Sequence, residues 1–403
     1  MKNIKPYLLL GCSLFFAAFS NAQSGCTDPA ATNYNASATT NDGSCVYPVT
    51  HNTPVYRCDL NSSCKESSAL VWTDNKLWTI NDSGNPANLY SVDTNTGTVL
   101  QKVVIDNYAN NDWEALAADS AFIYIGDHGN NNGNRTNLKI LKIAKADIGS
   151  ATVVHVNAQA IFFSYADQTS LSSSSTNNFD CEAMLSLKDS LYLFTKDRGD
   201  LKTRVYKLPK VPGTYSAAPY TTYNVSGLIT DASYSSTTGE VLLAGYQPGA
   251  VNSFLWFLND YKGVDFFSGN KRRIEIGDGG DWQTEGITYI SPYRYFISNE
   301  SSGPHTQALF TGARPLVPAA IEEYGNKTAL ATYPSPVTDV LHIDNATAGM
   351  SYTIRNAIGQ AIVSGALAQK DNTVNTADLQ PGIYLAVITA VDGGKTTIRF
   401  VKW

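Results

Sequence analysis

One phrase recurs five times along the chain, and a chain that repeats a short strand phrase is built to fold into repeated sheets. An acidic residue opens an apolar run, a second apolar run follows, and a polar residue with a glycine turn closes it. The copies run from Glu66 to Gly84, Glu114 to Gly129, Glu182 to Gly199, Asp231 to Gly249 and Glu285 to Gly303. Their openers stand 48, 68, 49 and 54 residues apart. Asp82, Asp127, Asp197 and Glu300 follow their openers by 16, 13, 15 and 15 residues, and the fourth copy carries Tyr246 at the 15-residue offset. A third apolar run comes next in each copy: Leu89 to Val92, Leu138 to Ile143, Val205 to Leu208, Phe254 to Leu258, and Leu309 with Phe310. Val99 to Ile105 and Ala160 to Tyr165 supply fourth strands. Units of this length, each several short strands, predict an all-β fold and, over residues 50–318, a β-propeller. The direct count is five blades, or six if the long interval between Glu114 and Glu182 holds a degenerate unit. Polar insertions such as Ser170 to Asn178 belong in surface loops.

The composition agrees. Aromatic residues reach 11%, with 23 Tyr, and charged residues only 16%, which favours strands and turns over helices. The net charge is -6 and there is no basic tract, so nucleic acid is not an expected partner. Lys2 and Lys5, an apolar stretch from Tyr7 to Phe19, and Ser20-Asn21-Ala22 before Gln23 spell a signal peptide over residues 1–22. Leu9-Leu10-Gly11-Cys12 also spells a lipoprotein box, but cleavage there would strand the apolar run from Ser13 to Ser20 behind the anchor. Cleavage after Ala22 is the expectation. No later segment approaches the ~20 apolar residues of a spanning helix, so no transmembrane segment is expected. An exported chain can form disulfides. After cleavage Cys26, Cys45, Cys58, Cys64 and Cys181 remain, an odd number, which leaves at least one thiol without a partner in the chain. Cys26 and Cys45 bracket residues 24–48, a segment too short for a core and in need of a staple. Cys58 and Cys64 flank a five-residue loop and are candidates to close on each other, with Cys181 left free.

Cys26-Thr27-Asp28-Pro29, Asn33-Tyr34-Asn35 and Asp42-Gly43-Ser44-Cys45 together resemble a short module of bacterial surface proteins. Its Asp28, Asn33, Asn35, Asn41 and Asp42 either build turns around the disulfide or hold Ca²⁺ through hard oxygens. At the other end, residues 319–329 read as a linker, and alternating apolar strands with glycine turns over residues 330–403 predict a small β-sandwich. Tyr333-Pro334-Ser335-Pro336, Leu341-His342-Ile343 and Leu379-Gln380-Pro381-Gly382-Ile383-Tyr384 resemble the type A C-terminal sorting domain of the type IX secretion system, with Ser335 in place of the usual Asn. That resemblance implies the secretion machinery as a partner. It also implies release or attachment at the outer cell surface.

In a propeller the first strands of all blades face one channel. The openers Glu66, Glu114, Glu182, Asp231 and Glu285 are therefore candidate metal ligands at one mouth. Two unit charges about 8 Å apart, at an effective dielectric near 20, repel by roughly 2 kcal/mol. Converging carboxylates would raise one another's pKa or recruit a cation, and Ca²⁺ suits an oxygen-only extracellular site. The alternative is that each acid bonds backbone amides of the next blade. Asp82, Asp127, His128, Asp197, Arg198 and Glu300 lie where the second strand turns, at the opposite end or a rim. With Lys196, Arg135 and Asn299 beside them they suit an anionic or hydroxylated ligand. The Glu-Ala and Glu-Gly openings with their charged-x-Gly turns resemble the SdiA-regulated and the phytase-like or esterase-like extracellular propellers. Two readings follow: a surface module that binds a glycan, peptide or other ligand, and a calcium-dependent hydrolase of the phosphoesterase, esterase or lactonase sort. The chain carries neither a Gly-x-Ser-x-Gly elbow nor a His-Glu-x-x-His helix to name a chemistry.

Overall fold

The computed structural model describes residues 23–249, 252–277, 282–301, 305–314, 330–357, 359–368, 372–391 and 394–403. The expected signal peptide, the linker at 319–329 and Gly303 lie outside them. The chain divides into two compact units, Met1–Pro315 and Leu316–Trp403. Both are built of strands; among the described residues the only helical pieces are the turns Ser62–Cys64 and Lys145–Ile148.

Each copy of the phrase forms one antiparallel sheet in the amino-terminal unit. The first sheet holds Ser67–Thr73, Lys76–Asn81, Asn88–Val92 and Val99–Ile105 in sequence order; the second holds Trp113–Ala118, Phe122–Asp127, Lys139–Ala144 and Gln159–Tyr165. The third runs Cys181–Leu187, Ser190–Thr195, Thr203–Pro209 and Pro219–Tyr223, and the fourth Leu228–Ser235, Glu240–Tyr246, Ser253–Asn259 and Asn270–Glu275. The fifth has Thr284–Ser291, Arg294–Asn299 and Ala308–Ala313, and takes its outer strand, Val55–Asp59, from the start of the chain. The long interval after Glu114 holds no sheet of its own. Its extra strand, Val153–Val156, pairs in parallel with the edge of the first sheet. In the same way Gly213–Ala217 extends the second sheet. The hairpin turn of the first sheet places Asp74 and Asn75 at φ 51° and 58°, the doubly left-handed turn whose twist matches paired strands.

Strands such as Ser190–Thr195 are buried along their whole length, so they read as apolar runs with little alternation. Both faces are covered because neighbouring sheets share cores. Trp78 and Ile80 of the first sheet pack with Ile125 and Leu141 of the second. Separate clusters join the second sheet to the third, the third to the fourth and the fourth to the fifth. A further cluster joins Phe296 and Leu309 of the fifth sheet to Leu70 and Tyr90 of the first. The first strands of the five sheets likewise touch one another in sequence, and that of the fifth touches that of the first.

The disulfide Cys26–Cys45 is formed, as its position predicts. Its module lies along the outer strand of the fourth sheet, where Asn41 donates to Asp260 (2.7 Å) and Asn270 (2.8 Å) and Lys271 donates to the Gly43 carbonyl (2.9 Å). Cys58, Cys64 and Cys181 are free and buried; the first two share one apolar cluster without bonding to each other. In the carboxy-terminal unit a three-stranded sheet (Ala331–Tyr333, Val340–Asp344, Asn372–Asn375) and a four-stranded one (Ala361–Ala366, Ser351–Asn356, Gly382–Thr389, Lys395–Lys402) share a core of Leu341, Ile343, Val374, Ile354, Ala386 and Phe400.

Asp231 is wholly buried and ties three sheets together. Its carboxylate accepts from the backbone amides of Ala232 (2.8 Å), Ile287 in the fifth sheet (2.7 Å) and Leu70 in the first (3.3 Å). Asp231→Ala would orphan three buried N–H groups, and each such loss costs about 1–3 kcal/mol. We expect a loss of at least ~3 kcal/mol in denaturant unfolding, the same with calcium or with chelator.

Candidate functional site

Every first strand carries a bulge at the same place. The pairing register slips by one residue between Ser67 and Ala69, Trp113 and Ala115, Cys181 and Ala183, Ile229 and Asp231, and Thr284 and Gly286. The skipped residue leaves the ladder and its side chain is re-aimed. These residues are Ser68, Glu114, Glu182, Thr230 and Glu285. Glu66 therefore stands two residues before its equivalent and Asp231 one after, and neither belongs to the ring that the acidic letters suggested. The hydroxyls of Ser68 and Thr230 bond the neighbouring sheet, donating to the carbonyls of Trp113 (2.8 Å) and Thr284 (2.7 Å). The three glutamates do not.

The same register corrects the second set. The residue that follows the bulge-side pair on each second strand is Asp82, His128, Lys196, Tyr246 or Glu300. Antiparallel pairing brings the end of the second strand back beside the start of the first, so this set shares the openers' end and does not stand opposite it. Asp127 and Asp197 are each one residue out of step, and a one-residue step turns a side chain to the other face. Asp127 is buried against Lys139 (2.6 Å) and Arg135 (2.7 Å), and Asp197 pairs with Arg204. Both tie down their own sheets. His128 is also buried, its Nδ1 donating to the Cys181 carbonyl at 2.8 Å; it folds back over Gly126, where a Cβ would lie 2.1 Å from Nε2.

What remains converges. One oxygen each of Asp82, Asp112 and Glu114 lie within 4.8 Å of one another. Glu114 is 6% exposed and, among the described residues, has neither a hydrogen bond nor an ion pair. Burial pushes its carboxyl well above the usual range, and Glu182, Asp82 and Asp112 add to it. Burial and then the Asp82 charge push Asp112 up to about 7, although Arg135 stands 3.7 Å away. Gly129 leaves the room these acids need, for a Cβ there would lie 2.6 Å from Asp112 and 2.8 Å from the Glu114 stem. Glu66 sits at the half-exposed margin with Lys65 at 3.3 Å. Burial raises Glu300, and Asp82 adds to that. On the third sheet Lys196 pairs with Glu182, while Arg198 reaches Asp180 (3.1 Å), Glu182 (3.5 Å) and Asn131 (2.5 Å). Acids thus outnumber bases on the side of the first, second and fifth sheets and are matched on the side of the third.

Asp112 and Asp180 stand among these groups and counting from acidic openers missed them, whereas Tyr246 lies where the count from Asp231 put it. The small residue after four of the five bulges was the better signal: aligning on Ala69, Ala115, Ala183 and Gly286 puts Ser68 with the glutamates and Lys196 with Asp82. In the stapled module the side-chain oxygens accept local bonds. Asp28 accepts from Ala30 N and Tyr47, Asn33 from Val46 N, Asn35 from Ser37 N, Asn41 from Gly43 N and Asp42 from Ser44 N. They build turns.

A family profile described as "Secretion system C-terminal sorting domain" matches residues 331–402. The tail is a type IX sorting domain. The chain is accordingly a secreted or cell-surface protein carried by that system, and no helix among the described residues is long and apolar enough to cross a membrane. No curated protein matches the chain. Among solved structures, PorZ, a surface component of the type IX secretion system of Porphyromonas gingivalis, is similar at 13% identity and TM-score 0.33, over 84% of this chain and 45% of that one. This chain thus spans less than half of PorZ. An aldose sugar dehydrogenase of Streptomyces coelicolor (11% identity, TM-score 0.40, 66% and 99% of the chains) and an exo-β-1,3-galactanase of Phanerochaete chrysosporium (8%, 0.41, 87% and 99%) are similarly distant.

Deleting the sorting domain, Ala331 to Trp403, should leave a folded amino-terminal unit inside the outer membrane, measured by fractionation and protease protection; full secretion of the truncated chain would contradict the assignment. A second expectation concerns His128, whose burial pushes its pKa down to about 4. An unfolded imidazole titrates near 6.5, so between those values the unfolded chain binds the extra proton. Stability should therefore fall as pH drops from about 6.5 to about 4, by about 3 kcal/mol from this group alone. His128→Asn, which keeps a donor for the Cys181 carbonyl, should flatten that part of the stability–pH curve.

Proposed function

We propose that the amino-terminal unit is a five-bladed β-propeller that binds an extracellular ligand, a glycan or peptide, through Ca²⁺ held by Asp82, Asp112 and Glu114 at one end of its axis. Five sheets sharing five cores, with the last packed on the first and completed by the strand Val55–Asp59, support closure. The observation that carries the cation is Glu114. A carboxylate so buried, unpaired and beside two others is costly unless something positive meets it. The donors are all oxygens, which suits a hard cation. Three carboxylates leave part of a six- to eight-oxygen shell to water and to hydroxyls or carbonyls of a ligand. Asp82, only partly buried, stands on the accessible side. The sorting domain gives the unit an extracellular address, where a ligand-binding role would operate.

The test is a pair of melting curves with Ca²⁺ and with chelator. A site that exists only in the folded chain should add ~2.7 kcal/mol of stability at a hundred times the dissociation constant. Glu114→Gln removes one charge and keeps the shape, so it should raise stability in chelator and abolish most of the calcium gain. A variant that is equally destabilised with and without calcium would overturn the reading.

A further inference from the structure

The three clustered carboxylates come from two sheets, so the gap between those sheets sets their spacing. Asp82 follows the second strand of the first sheet, while Asp112 and Glu114 stand at the start of the second sheet. Glu114, buried and without a partner among the described residues, puts one oxygen within 4.8 Å of the other two acids. Ser68 ties the first strand of one sheet to that of the other, at the Trp113 carbonyl. Asp82 lies past the end of its strand, where that tie does not reach. Asn110 does reach it. Its Nδ2 donates to the carbonyls of Asn81 (2.9 Å) and Asp82 (2.8 Å), and its Oδ1 accepts from the Trp113 amide (3.1 Å). One side chain thus joins the backbone of Asp82 to the strand start that carries Asp112 and Glu114. The next residue, Asn111, donates to Asp127 Oδ2 (2.8 Å) of its own sheet, so Asp112 sits between two anchored neighbours. Asn85 also donates to the Asp82 carbonyl (3.1 Å), but it belongs to the first sheet and cannot set a gap between sheets.

We infer that Asn110 is the positioning residue of the cation site: it holds Asp82 at the spacing from Asp112 and Glu114 that lets all three meet one hard divalent ion. This rests on the cation reading above. The Asn110 amide is taken up by backbone groups of both sheets, so it acts on the ion only through the carboxylates it places. Partners that orient a metal ligand without touching the metal typically account for about 10–100-fold of its affinity.

Calorimetric titration of the secreted, full-length chain with Ca²⁺ tests this, using the unmodified protein, Asn110→Asp, Asn110→Ala, Asp82→Ala and the double variant Asn110→Ala with Asp82→Ala. Asn110→Asp keeps the acceptor for Trp113, loses both donations and adds a negative charge to the neighbourhood of the ion. A charge effect alone would tighten binding. A positioning role should weaken it, by about tenfold or more. Asn110→Ala should weaken binding as much in the unmodified chain and not at all in Asp82→Ala, because it acts through Asp82. Affinity in Asn110→Asp that equals or exceeds the unmodified chain's, or losses that simply add in the double variant, overturns the inference and leaves the cation reading intact. If Asp82→Ala binds no ion, the single variants at Asn110 decide alone. Where near-UV circular dichroism shows one of those unfolded, the other carries the test; if both are unfolded, Asn110 is a prop of the fold and the inference is overturned. No binding to the unmodified protein overturns the cation reading, and this inference with it.

Discussion

Both faces of nearly every inner strand in the amino-terminal unit are buried, and a sheet that is apolar on two sides needs a cover on each. Everything else in the unit follows from that requirement. Consecutive sheets supply one another's cover, and the fifth finds its second cover only on the first, through Phe296, Leu309, Leu70 and Tyr90. Leaving one such sheet uncovered would expose several side chains of the size of Leu or Phe, each worth about 1.5–3 kcal/mol of burial. Against that, the segments that stray between sheets, Val153–Val156 and Gly213–Ala217, are light additions to exposed edges.

The same geometry makes the start of the first strands a hard place for charge. The first strands of successive sheets touch one another there, and Glu114, Glu182, Glu285 and Lys196 are buried. Asp231, Ser68 and Thr230 resolve the crowding by bonding backbone groups of neighbouring sheets. Glu182 resolves it with Lys196 and Arg198. Glu114 and Glu285 are buried and have no such partner among the described residues.

How much of this was legible in the sequence depended on the period involved. The repeat of whole sheets survives any local error, so the all-β fold, the four-strand units and the strands near Val99–Ile105 and Gln159–Tyr165 could be read directly. So could the Cys26–Cys45 bridge and the address of the tail. The site could not, because a strand's faces alternate with a period of two and the bulge breaks that count by one. Aligning on the acidic letter put Glu66 and Asp231 in a ring they do not join, and placed Asp127 and Asp197 toward a ligand when they face inward to Arg135, Lys139 and Arg204. Lys196 was visible as a charge near a turn, but that it replaces an acid at an equivalent position shows only in the register.

The strand Val55–Asp59 lies beside Ala308–Thr311, about two hundred and fifty residues further along. Contacts so distant in sequence form late, because the loop they close must lose its freedom before the contact returns anything. A growing chain can assemble its first four sheets in order, yet Val55–Asp59 waits for its partner until nearly the whole unit exists. Until then Val55–Asp59 itself stays open to any stray strand, which makes the closing step the point at which crowding or delay would divert the chain into aggregates.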